Sequence, residues 1–349
     1  MPVQTRVIHY YVCLGAAGGK EWKVFMKLAI DAMSGDLGSA PVVEACKKFA
    51  EKHPDVELFV TGKKEELTAL ESIDSIHIVD ARDVVLMTDS VLGVRRKKES
   101  SMVKALMMAR KDEVDGVVSC GSTGAFYTAS MLFVKRIEGV EKSCLMATVP
   151  TYSGNSTCLM DVGANATNTA EQLQEFAVMG SLYSKLVLNK ENPKVALLNI
   201  GAEDHKGDEM HQEAYKLLKG CDKINFTGNV EGRDLLSGDM DVIVTDGFSG
   251  NIALKSSEGA AILLMKAMKE SLVATLRGKI GALFAKPQLY ALKDRFDYKS
   301  VGGALFMGFE KAIVKAHGSS DAKAIFNAME LVYRMVDLDV VGRMKEGLQ

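Results

Sequence analysis

The chain of 349 residues is predicted to fold as an α/β protein, a mainly parallel sheet wrapped by helices on both faces. Three observations carry this prediction. Short β-branched apolar runs alternate with amphipathic stretches of about 10–15 residues, the rhythm of strand–helix units. Most of the runs end at glycine just where helical spacing begins. The composition, 47% hydrophobic and 25% charged, is that of a globular chain with enough apolar material for a large core.

Residues 1–25 lack the clean apolar centre of a signal peptide. They are expected to form an extension, with the folded domain at 26–345. Residues 27–32 read as a buried strand, 33–41 as a glycine-rich loop, and Pro41 suits the first turn of a helix running to Glu51. Strands follow at 56–61 and 76–80. Periodicity is lost over 83–95, and a helix covers 101–111. Residues 115–119 form a strand that breaks at Cys120, Gly121 and Ser122 before a helix to Arg136. The strand at 158–162 exits through Gly163, Ala164 and Asn165 into a helix over 169–188. Residues 195–200 lead into a loop bearing His205 and Lys206, and 224–227 form a further strand. The run 242–244 breaks at Asp246 and Gly247, passes Ser249, Gly250 and Asn251, and becomes helical from Ile252. A long apolar segment with lysines follows, interrupted by Gly278, Gly281 and Pro287; over 256–300 it reads as a protruding amphipathic helical hairpin near the C-terminus. A strand-to-turn element at 311–320 and one helix over 321–344 close the domain.

Several functions are disfavoured. A net charge of -2 argues against nucleic-acid binding. No uncharged run reaches the ~18 residues of a membrane span. The six cysteines have no CxxC pair and fit reduced thiols in the cytoplasm. The six histidines have no metal spacing, and P-loop, dinucleotide and GxSxG motifs are missing. Neither metal nor cofactor is expected.

In such sheets ligands sit beyond the carboxyl ends of strands. The turn at 246–251 can be an anion cradle of backbone N–H groups or an ordinary β-to-α connection. Lys206 beside His205 can hold a phosphate, or both can be solvated. Cys120 at a helix start is a nucleophile or a packed thiol. The segment 252–284 is a dimer interface with core helices, or a helix pair lying on an anionic membrane.

Eight blocks, IDAMSGD, RRKKESSM, GSTGA, DVGAN, LLNIGAEDHKGDE, GNVEGRD, TDGFSGN and AHGSS, occur in an order that resembles the PlsX-type phosphate acyltransferases across residues 26–342. The resemblance implies an isocitrate/isopropylmalate dehydrogenase-like fold. It also implies formation of acyl phosphate from a long-chain acyl-[acyl carrier protein] and inorganic phosphate, in phospholipid biosynthesis. Acyl carrier protein, a second copy of the chain, a membrane surface bound peripherally and a downstream glycerol-3-phosphate acyltransferase are the implied partners. Lys206 and Asn251 match the family's active-site lysine and asparagine, and Asp246, Ser249, Gly250, Gly163, Asn165, Ser122 and Gly121 are expected to bind phosphate. Arg95, Arg96, Lys97 and Lys98 are either a carrier-protein landing site or a solvated or internally paired charge run, and Leu263, Leu264, Leu272 and Phe284 are the expected membrane contacts. Two positions depart from the family pattern: Leu37 replaces a histidine, and Ser122 an asparagine. The alternatives are an acyl-CoA-dependent phosphate acetyl- or butyryltransferase and a catalytically silent membrane scaffold.

Overall fold

A computed structural model describes residues 10–14, 20–24, 26–89, 91–295 and 302–348. The first two segments, β1 (Tyr10–Leu14) and β2 (Lys20–Val24), pair with each other in a separate antiparallel sheet. The remainder of the extension expected over 1–25, and residues 296–300 of the expected hairpin, lie outside the described residues.

Among the described residues the main sheet has eleven strands. In chain order they are β3 (Met26–Asp31), β4 (Val56–Gly62), β5 (Ile76–Asp80), β6 (Gly116–Ser119), β7 (Cys144–Pro150), β8 (Ser156–Met160), β9 (Lys194–Asn199), β10 (Asn225–Glu231), β11 (Val242–Val244), β12 (Ala304–Met307) and β13 (Ala312–Lys315). Their order across the sheet is β10-β9-β11-β8-β7-β12-β13-β6-β3-β4-β5. β10, β9, β11 and β8 are mutually parallel, as are β13, β6, β3, β4 and β5. Between these blocks, β7 and β12 pair antiparallel with each other and with their outer neighbours β8 and β13. A mainly parallel sheet is expected from the sequence, whereas its division into two blocks by β7 and β12 is not anticipated by the strand–helix alternation.

Successive strand residues feed opposite faces. Leu28, Val118, Met146, Met160, Leu197, Val244 and Val314 join one apolar cluster, covered by α1 (Ala40–Lys52), α5 (Ala170–Val187) and, near the chain end, α9 (Ala322–Asp337) and α10 (Val340–Leu348). Ala29, Val117, Leu145, Leu159, Ala196, Ile243 and Ile313 join a second cluster with α3 (Ser101–Arg110) and α4 (Thr123–Phe133). Short α2 (Lys64–Leu67) follows β4, and α6 (Glu209–Lys219) follows β9. Side-chain caps start the helices where the sequence changes period. Ser100, Asp208 and Asp321 accept from the third residue on, and Thr169 with Gln172 forms a capping box. The single helix expected over 321–344 is two, because Asp339 takes a left-handed φ of 46° between α9 and α10.

The hairpin is α7 (Gly247–Val273) and α8 (Leu276–Arg295), packed on each other and followed by β12, so it is an insertion ahead of the last two strands. Helix α7 starts five residues before Ile252. The break falls at Ala274 and Thr275; Gly278, Gly281 and Pro287 lie within α8. At Gly278 a Cβ would sit 2.2 Å from the Leu272 carbonyl oxygen, so the turn needs glycine there. Apolar side chains are not confined to one stripe. Ile262, Leu263 and Leu264 are consecutive and all exposed, and they span roughly 200° of the helix circumference.

Candidate active site

The loop after β8 is organised by one buried carboxylate. Asp161 Oδ1 accepts from the amides of Gly163 (3.1 Å) and Ala164 (2.9 Å), and Oδ2 from the amide (2.9 Å) and side-chain nitrogen (2.7 Å) of Asn165. Burial pushes the Asp161 carboxyl up, and these donors only partly oppose it. The Asn165 side chain also donates to the Ser143 carbonyl and accepts from the Tyr127 hydroxyl, so it is committed to the scaffold.

Helix α7 seats directly on this loop. A Cβ on Gly247 would lie 2.0 Å from the Asn165 carbonyl oxygen, and one on Gly250 2.0 Å from that of Asp161. Only glycine permits such approach. The seat sets Asn251 over Gly163, where an added Cβ would lie 3.2 Å from Asn251 Cγ. It also corrects the expected anion cradle. Asp246 caps the amides of Phe248 (3.1 Å) and Ser249 (2.9 Å), Gly247 N–H donates to Asn168, and Gly250 N–H to the Asp246 carbonyl. The first turn of α7 therefore spends its N–H groups internally, as does the 163–165 turn.

A pocket of about 520 Å³ opens beside Asn251. Its floor is the unanticipated antiparallel centre of the sheet: Leu145, Ala147 and Val149 of β7 with Ala304 of β12. One wall is α7, through Asn251, Leu254, Lys255, Ala261, Ile262 and Met265. The other is the exit of β13, with Lys315, His317 and Ser320, joined by Thr123 at the start of α4. Ser122, the N-cap of α4, accepts no amide with its side chain, so this helix start, unlike that of α7, carries no side-chain cap. Lys255 pairs with Glu258 at 2.7 Å. Lys315 is only 7% exposed, and burial lowers its ammonium to about 8.

The remaining expected site residues divide. Lys206 is half-buried, 3.9 Å from Glu203, on a loop apart from the pocket-lining residues. That loop is tied to α7 through His211, whose Nδ1 is 2.7 Å from Asp208 and whose Nε2 is 3.7 Å from Asp246. Gly121 is buried, its amide donating to Ser119, and Ser249 is half-buried. The Cys120 thiol is pushed up to about 12 by burial, which decides between the two readings in favour of a packed thiol. Arg95, Arg96 and Lys98 face solvent, whereas Lys97 turns inward to the Val84 carbonyl and Asp89, both at 2.7 Å. Leu263, Leu264 and Phe284 are well exposed; Leu272 is half-buried. Sequence reasoning missed Lys315, Lys255 and Thr123. The signal for Lys315 was a lysine closing the apolar run Ala-Ile-Val-Lys on an inward-facing register.

An apolar floor meeting a lysine-bearing end suits a group transfer that joins an acyl chain to an anion, and the comparisons agree that the chain is an acyltransferase. A family described as fatty acid synthesis protein matches residues 26–343. A phosphate acyltransferase of Exiguobacterium sp. is 44% identical over 324 residues, covering 92% of this chain and 98% of the relative. One from Bacillus pumilus is 41% identical over 326 residues, covering 93% and 98%. The fold is shared with a phosphotransacetylase from Streptococcus pyogenes (TM-score 0.57, 16% identity, 93% and 94% covered). It is shared also with a branched-chain phosphotransacylase from Enterococcus faecalis (TM-score 0.55, 15% identity, 89% and 99% covered). The chain belongs to the PlsX family of phosphate acyltransferases.

Proposed function

We propose that this phosphate acyltransferase takes a long-chain acyl group from acyl carrier protein and passes it to inorganic phosphate, forming the acyl phosphate used in phospholipid synthesis. The observation that supports a long chain is the pocket: about 520 Å³, floored by Leu145, Ala147 and Val149, is more apolar room than an acetyl group fills. In this reading the thioester carbonyl sits near Asn251, where a side-chain amide can donate to the developing oxyanion. Lys206, on the loop tied to α7, supplies positive charge for phosphate. Phosphate brings its own nucleophilic oxygen, so a protein nucleophile is unnecessary, and orientation of two substrates supplies much of the rate.

The exposed basic residues Arg95, Arg96 and Lys98 are the inferred landing site for the acidic carrier protein. The exposed apolar surface of α7 and α8 is the inferred contact with a cytoplasmic membrane face, with a second copy of the chain, or with both. Membrane contact would be peripheral, since among the described residues no helix is long and apolar enough to cross a bilayer. The fold shared with phosphotransacetylases keeps one alternative in play, a short-chain acyl-CoA donor.

Purified protein is offered a long-chain acyl carrier protein, the matching acyl-CoA and acetyl-CoA, each with and without phosphate, and products are read by mass spectrometry. Acyl phosphate is expected chiefly from the carrier protein. Preference for acetyl-CoA would replace the proposal by the alternative, and absence of acyl phosphate from every donor would leave only the scaffold.

A further inference from the structure

The β13 exit carries an arrangement that the reaction as so far described does not use. Alternation along the strand puts Val314 in the apolar cluster on one face, and Ile313 and Lys315 on the other, the face that floors the pocket. In register, Lys315 lies beside Ala304, and Ala304 beside Ala147. Two small side chains therefore separate a lysine from the middle of the floor. Lys315 Nζ donates to the neighbouring Ala316 carbonyl oxygen. No carboxylate among the described residues lies within ion-pair distance of it. A buried ammonium with no carboxylate paired to it is costly, since Asp36 acts on it only from beyond ion-pair distance, and a buried strand end would ordinarily hold an apolar residue here. Such a group, aimed into a cavity, points to a ligand.

The chemistry of the proposed reaction, on which this inference rests, has an unmet need at that point. The tetrahedral intermediate can expel either the thiolate or the phosphate that has just added. Phosphate oxygens, with a second pKa of about 6 in esters, leave more readily than an alkyl thiolate, whose thiol titrates at about 8.5. Forward reaction therefore needs a proton delivered to sulfur.

We propose that Lys315 is the acid that protonates the departing thiol. A hydrogen phosphate dianion attacks through an unprotonated oxygen, forming the carbonyl C–O bond. The C–S bond then breaks as sulfur takes a proton from Lys315 Nζ, giving the free thiol and a neutral amine. The acyl phosphate still carries one P–OH, and its proton returns to Lys315, which regenerates the ammonium. Atoms and charge balance without a co-reactant. The groups that face Lys315 come from three other elements: Lys255 from α7, Cys120 from the end of β6, and Asp36 from the loop after β3. Burial is the largest influence on it, and with these neighbours leaves the ammonium at about 8, close to the thiol it must serve.

The test uses one long acyl group on two leaving thiols, N-acetylcysteamine (alkyl) and thiophenol (aryl), with the full-length wild type, Lys315→Arg and Lys315→Met. Arginine keeps the charge and cannot release its proton; methionine keeps the length alone, so a folding failure in one leaves the other. With the alkyl thioester, kcat/KM in both variants is expected to fall by ~10²-fold or more. With the aryl thioester, which leaves unaided, they should approach wild type. Wild-type kcat/KM should fall as pH rises past about 8, and that limb should vanish in Lys315→Arg. Equal losses with both thiols, or an unchanged alkaline limb, would overturn the role of Lys315 while leaving phosphate transfer intact. Absence of phosphate-dependent turnover in the wild type would overturn the acyltransfer reading, and this proposal with it.

Discussion

Asn251 owes its position to two glycines and one carboxylate. Gly247 and Gly250 let α7 rest on the carbonyls of Asn165 and Asp161, and Asp161 holds the loop that carries those carbonyls. Gly250→Ala should therefore move Asn251 away from Gly163. We expect loss of stability by about 1–3 kcal/mol and of nearly all turnover, measured by chemical denaturation beside phosphate-dependent thiol release. Asn251→Ala should leave stability unchanged and lower kcat by ~10²–10³. Lys206→Ala should likewise lower phosphate-dependent turnover without unfolding; near-normal rates in both variants would remove them from the site. Lys315 makes a stability prediction in the opposite sense. Its folded value of about 8 lies below the usual 10.5, so the unfolded chain holds this proton more tightly. The cost is fully present below about pH 8 and fades as pH rises toward 10.5. Lys315→Met should accordingly raise stability at pH 7 by about 1–3 kcal/mol in phosphate-free buffer, and the gain should vanish near pH 11 in matched urea titrations.

The α7–α8 hairpin does two jobs at the scale of an element. Its first half walls the pocket with Leu254, Ala261 and Met265; its second half presents Leu276, Ile280, Leu283 and Phe284 to solvent. A helix apolar on several sides calls for a covering partner. Leu283→Glu with Phe284→Glu, placed beyond the pocket-lining residues, should abolish co-sedimentation with vesicles containing anionic lipid and leave turnover of a small thioester within about twofold. Retained vesicle binding would assign this surface to the chain's own assembly instead. The helix periods were readable from the sequence, but amphipathicity was not the right description. Side chains at 262, 263 and 264 are exposed together, which periodicity alone cannot reveal because it assumes one buried face.

Across the whole molecule, the pocket draws on both parallel blocks and on the antiparallel strands between them. The basic run from Arg95 to Lys98 is separate from it in sequence and divided in role. Lys97 fastens the 83–97 segment through Asp89, which its ammonium holds below the usual carboxylate range, while Arg95, Arg96 and Lys98 remain outward. Reversing those three charges should raise KM for acyl carrier protein by ~10-fold at low salt, with the difference shrinking as ionic strength rises. Turnover of a small thioester should not change. If both donors were affected alike, the run would be part of the scaffold and not a landing site.

Local signals in the sequence determined the strand–helix rhythm, the glycine-turned strand exits, the mainly parallel character of the sheet and the motif blocks of the family. Strand period and cap residues are properties of a few neighbouring residues, so they survive in the linear chain. What only the tertiary structure decided is which groups are already satisfied and which are not. The amides at the start of α7 looked available and are spent on Asp246 and Asn168. Cys120 was open between nucleophile and packed thiol, and burial makes it the latter. Lys315 drew no notice within the strand-to-turn element at 311–320 and is a buried cation in the pocket wall, because β7 and β12, more than 150 residues apart in the chain, meet to make the floor beside it. Hydrogen-bond satisfaction and desolvation depend on every element packed around a group, and no spacing along one segment encodes them.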